Sequence, residues 1–98
     1  MDYLQELQNW YKNQCNDDWE HEYGVRIYTV DNPGWCIEID LIDTHWEDIS
    51  SSYQLFENSE DDWYGYSVEN SIFKAVGDPL KLEVLIKLFL DITKELSV

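Results

Sequence analysis

The sequence predicts an α+β domain: an N-terminal helix, a five-stranded antiparallel sheet running as a meander, and a C-terminal helix, with both helices on one sheet face. Three observations predict it. Apolar residues recur at helical spacing near both ends of the chain. Between them, segments alternate in period two and are rich in β-branched and aromatic side chains. Turn-forming residues separate those segments at short intervals. With 98 residues and no linker, repeat or low-complexity tract, residues 1–98 are expected to form one domain.

The first helix is expected over Tyr3–Cys15, where Leu4, Leu7, Tyr11 and Cys15 share a face and Trp10 helps to dock it. Asp2, followed three residues later by Gln5, has the form of a capping box. Tyr23–Val30 and Trp35–Ile42 form a hairpin across Asp31-Asn32-Pro33-Gly34, where Pro presets φ and Gly tolerates φ > 0. Val25, Ile27 and Thr29 match Trp35, Ile37, Ile39 and Leu41 only if odd positions pair with odd ones. That register sets Arg26 against Glu38 or Asp40, a cross-strand ion pair that makes Arg26 structural. Residues 43–52 are a polar connection. Tyr53–Asn58 and Trp63–Glu69 read as strands around an acidic turn, followed by Ile72–Val76. Asp78 as N-cap and Pro79 at the first helical position open the last helix, whose buried stripe is Leu82, Leu85, Ile86, Phe89, Ile92 and Leu96. Glu83 and Lys87, four apart, lie on its wet side.

Charge narrows the function. The formal net charge is −15, and residues 13–73 hold 15 acids against Arg26 alone, a net of −14. Such a surface repels nucleic acid and anionic membrane and attracts a basic partner. No secretory signal opens the chain, and no apolar stretch approaches the ~18 residues of a membrane span. Cys15 and Cys36 have neither disulfide-framework nor metal spacing, and read as small apolar residues of a reduced, cytoplasmic protein.

Asp17–Gly24 reads DDWEHEYG and raises a choice between chemistry and recognition. Zinc proteases need two His on one helical face, and His21 stands alone locally; His45 is the only other one. An acid–base or metal-dependent hydrolase centred on Glu20, His21 and Glu22 is the enzymatic alternative, but general acid–base work calls for a buried carboxylate. Phosphate loops, nucleophile elbows and dinucleotide fingerprints are absent, so no cofactor, metal or catalytic residue is assigned. Trp19, Trp46 and Trp63 each sit among acids, in DDWEHE, HWED and EDDW. Apolar area within a polar rim is the pattern of an interface anchor. The expected partner-binding residues are therefore Asp17, Asp18, Trp19, Glu20, Glu22, Trp46, Glu47, Asp61, Asp62 and Trp63. A second alternative is an acidic mimic of nucleic acid that occupies DNA-binding proteins.

WEHEYGVRIYTVDNPGWCIEIDL, from Trp19 to Leu41, resembles the signature of the immunity protein 53 family of bacterial polymorphic-toxin systems. LQNWY (Leu7–Tyr11), SEDDW (Ser59–Trp63) and GDPLKL (Gly77–Leu82) extend the resemblance over nearly the whole chain, and HWEDISSS (His45–Ser52) matches least. The resemblance implies an α+β fold and a cytoplasmic antitoxin that binds and blocks a cognate toxin, with no catalytic residues of its own. A basic toxin suits the charge, and a toxin acting on nucleic acid needs such a positive groove.

Overall fold

A computed structural model describes residues 2–95. Helix α1 spans Tyr3–Gln14, and the Asp2 carboxylate accepts the Gln5 N–H at 3.0 Å, as the capping pattern requires. A one-turn helix α2, Trp19–Glu22, follows, an element that the spacing does not predict. Side-chain caps build it. Asn16 Oδ1 accepts the Asp18 and Trp19 N–H groups, and the Glu20 carboxylate accepts those of Asn16 and Asp17. Asp17 sits at φ 75°, a left-handed position that Asp tolerates better than most residues.

Strands β1 (Val25–Val30) and β2 (Gly34–Asp40) pair in the odd-to-odd register, with Val25 opposite Ile39, Arg26 opposite Glu38 and Ile27 opposite Ile37. Gly34 does not use a positive φ, as none of the glycines does. It is needed for close approach instead, because a Cβ there would collide with the Gly77 carbonyl oxygen. The remaining strands are β3 (Ser51–Ser59), β4 (Asp62–Glu69) and β5 (Ile72–Gly77).

The sheet is antiparallel throughout, but its order is β1-β2-β5-β4-β3, so the simple meander is corrected. β3, β4 and β5 do run consecutively. The connection 41–50, however, carries the chain to the far edge, and β5 returns to pair with β2, Ile39 against Phe73 and Ile37 against Ala75. Burial explains the order. β2 and β5 supply the completely buried Ile37, Ile39, Phe73 and Ala75, and belong in the centre; β3 is exposed along nearly its whole length and can only be an edge.

Helix α3 spans Leu82–Glu95 and lays Leu85, Ile86, Phe89 and Leu90 on that central pair. It starts later than the Asp78-Pro79 signal suggested. Asp78 Oδ1 accepts the Leu80 N–H and its carbonyl accepts that of Lys81, so Asp78 caps a preceding turn rather than the helix. Lys87 pairs with Asp91 at 2.7 Å and not with Glu83. Leu96 lies outside the described residues. α1 lies beside α3, with Trp10 4.8 Å from Phe89. Both helices thus cover one sheet face, and the other is left open.

Candidate partner-binding surface

Two of the three acid-flanked tryptophans are core residues. Trp19 is 3% exposed and Trp46 8%. Their rings lie 6.0 and 5.7 Å from Trp10, and their indole N–H groups donate to the carbonyls of Ile42 and Thr93. Neither can meet a partner as an interface anchor in this structure. A single helical turn and a tight loop point each ring inward while Asp18 and Asp48 stay exposed. Glu20 is engaged in capping, and its own backbone N–H first, then those of Asn16 and Asp17, pull its pKa down. His21 is exposed, and among the described residues no three His, Cys, Asp or Glu side chains are placed to hold a metal.

The expected acidic surface divides between the two ends of the sheet. Asp17, Asp18 and Glu22 are exposed at the end where Asp40 accepts the Gly24 N–H. Asp18 and Glu22 line a cleft of about 400 Å³ there with His21 and Asp43. Glu47 is half-buried in the connection at this same end, its carbonyl accepting the Ser71 hydroxyl. Asp61, Asp62 and Trp63 lie at the other end, because Tyr64 pairs with Gly77 and Gly77 with Trp35, next to the first hairpin turn.

At that second end Trp63 is half-buried in a cleft of about 470 Å³, lined by Pro33, Glu60, Asp61, Pro79 and Leu80. Leu80 is 89% exposed. Asp78 holds the cleft together: its buried carboxylate accepts the N–H groups of Trp63 and Leu80 and bonds the Lys81 ammonium at 2.8 Å. Lys81 in turn reaches Asp62 at 2.7 Å, which lowers the Asp62 pKa and neutralises part of its charge. Glu60 and Asp61 remain exposed on the rim. This end carries an apolar centre within an acidic border.

Strand alternation sets Trp63, in this cleft, on the same side of the sheet as Gly65, the uncovered face. Alternation places Leu55, Gly65, Val76, Cys36 and Tyr28 in one row across that face. The Tyr53 ring lies over Gly65, which has no Cβ to obstruct it. The family model for immunity protein 53 matches residues 4–94. The chain belongs to the immunity protein 53 family. No curated protein and no solved structure matches it. Immunity proteins bind cognate toxins, and membership of the immunity protein 53 family gives this chain an antitoxin role. The family is generally non-enzymatic. No helix among the described residues is long and apolar enough to cross a membrane.

In this immunity protein 53 member the charged row of the open face is internally paired. Arg26 bonds both oxygens of Asp40, at 2.9 and 3.0 Å, and reaches Glu38 at 3.2 Å. Tyr28 donates to Glu38 at 2.7 Å, and Lys74 lies 3.9 Å from it. The Arg26 guanidinium holds the Asp40 pKa below the ordinary carboxylate value, helped by the Gly24 N–H. Glu38 is held down by the Tyr28 hydroxyl first and by Arg26 second. Arg26→Ala should cost about 1 kcal/mol at neutral pH, discounted because the guanidinium is half-exposed. A depressed carboxylate stabilises above its unfolded pKa, about 3.9, and that contribution fades as pH falls. Urea titrations of both proteins at pH 7 and pH 3 should therefore show the difference shrinking in acid.

Exposed residues that sequence reasoning missed on this face and edge are Tyr53, Leu55 and Phe56. They read as an ordinary half-buried strand. Only the pairing of β2 with β5 leaves them at the rim, and no local signal carries that pairing.

Proposed function

We propose that this chain is a cytoplasmic antitoxin that captures a basic toxin at the Trp63 end of its sheet and on the adjoining open face. One observation carries the reading. Of the three acid-flanked tryptophans, Trp63 is the one at the surface, in a cleft rimmed by Glu60 and Asp61. A ring of this kind supplies apolar area and a π-face for a Lys or Arg of the partner. The net of −14 over residues 13–73 supports a basic partner rather than nucleic acid.

The two acidic ends should not contribute equally. A seven-residue strand spans about 23 Å, roughly three Debye lengths at physiological salt. Charges at the far end are screened from a partner docking at Trp63. With its cognate toxin, Glu60→Gln with Asp61→Asn should slow association at physiological salt about threefold or more. Asp17→Asn with Asp18→Asn should slow it only at low salt. Trp63→Ala should instead speed dissociation about 30-fold, the effect of losing an anchor of roughly 2 kcal/mol. Stopped-flow binding across ionic strengths reads all three, and an association rate indifferent to salt and to both neutralised pairs overturns the reading.

A further inference from the structure

We propose that the outer edge of β3 takes up an extended, basic strand of the toxin as a sixth strand of the sheet; this rests on the antitoxin reading above and says how the toxin is held. β3 is nine residues long, the longest strand in the sheet, and it pairs on one side only, with β4. Every residue from Ser52 to Ser59 is exposed. An edge of this length displays unmet backbone N–H and C=O groups, and proteins ordinarily blunt such edges with Lys, Pro or a covering element. Here none of these is present: β3 holds no Lys, Arg or Pro, and α3 lies over β2 and β5 with α1 packed beside it, away from β3. The register shifts flank a regular stretch, Gln54–Glu57, rather than interrupting it.

Side chains on both sides of this edge suit an added strand. Tyr53 and Leu55 lie on the open face, while Phe56 lies on the helix face, stacked on Tyr64 at 5.0 Å. Strand addition draws affinity from main-chain hydrogen bonds and selectivity from alternate side-chain contacts of this kind. Charge selects the occupant. The edge runs through Glu57 into Glu60 and Asp61 at the Trp63 cleft, and no base occurs between Arg26 and Lys74. A second copy, with its own charge of −15, is repelled, whereas a basic strand is attracted. Such a strand would also deliver its end to the Trp63 cleft.

Hydrogen exchange on the complex with the cognate toxin tests the proposal. Amides of residues 52–58 should slow by about tenfold or more on binding, while those of β1, the opposite edge, stay unchanged. Gln54 and Leu55 are exposed on opposite faces of β3, so Gln54→Lys and Leu55→Lys should each weaken binding about tenfold by setting a like charge beside a basic strand. A complex that forms with β3 amides unchanged, or that responds to Leu55→Lys alone, overturns strand addition and leaves antitoxin binding intact. Failure of any complex to form overturns both. A dimeric unbound chain whose β3 amides are already slow assigns the edge to a second copy and also overturns the proposal.

Discussion

Trp19→Ala is expected to remove about 3–5 kcal/mol of folding stability, the usual cost of deleting a buried aromatic ring. A domain of this kind has only about 5–15 kcal/mol in total, so the loss is roughly a fifth or more of what holds it folded. The ring meets Trp10, Tyr11 and Tyr23 at centroid distances of 6.0 to 6.2 Å, and its N–H donates to the Ile42 carbonyl at 2.9 Å. Truncation therefore opens a cavity between α1, Tyr23 and the segment at Ile42, and orphans the Ile42 carbonyl at the same time. Urea denaturation at neutral pH measures the change. A variant as stable as the wild type would mean that the ring does not pack as described. Trp63→Ala provides the contrast, since its half-buried ring should cost far less stability than it costs binding.

Asp78→Ala is expected to lower Tm by about 10 °C. The carboxylate is 1% exposed and accepts three hydrogen bonds, two from backbone N–H groups, one at the start of β4 and one in the turn before α3. Removing it strands the Trp63 and Leu80 N–H groups and leaves Lys81 with Asp62 alone. The Lys81 ammonium, then the two backbone donors, hold the Asp78 pKa down to about 2. A depressed carboxylate contributes its full stabilisation above the unfolded value of about 3.9 and loses it as pH falls through about 2. The wild type should therefore lose stability across that window, and Asp78→Asn should lose less over the same interval. Thermal melts at pH 2, 3, 4 and 7 separate the two proteins. Equal slopes would show that Asp78 does not titrate with folding.

Local pattern carries much of this fold, and long-range pairing carries the rest. The register of Arg26 against Glu38 follows from alternation and a short turn, because a one-residue slip would reverse every side chain. The stripe Leu82–Ile92 is equally legible from helical spacing. The place of β5 between β2 and β4 is not, since it depends on which strands lie beneath α3, a property of the assembled sheet. The candidate surface divides in the same way. Asp61 and Trp63 are legible as an acidic site with an aromatic centre. Trp19 and Trp46 mislead because neighbours in sequence say nothing about which way a ring points out of a one-turn helix or a tight loop. The late start of α3 has a similar cause. Asp78 has the chemistry of a helix cap, but a strand end and a lysine compete for its oxygens.

Helices on one side of a sheet also divide the ways this chain can change. Along β4, Tyr64, Tyr66 and Val68 touch the common core, whereas Trp63, Gly65 and Ser67 between them look outward. Replacements at exposed positions usually shift stability by less than about 0.5 kcal/mol, while core replacements cost several times that. A lineage can thus rewrite Tyr53, Leu55, Glu57 and Glu60 almost independently of the scaffold beneath them. New specificity can be acquired one exposed residue at a time, with Trp10, Trp19 and Trp46 unaltered behind the sheet.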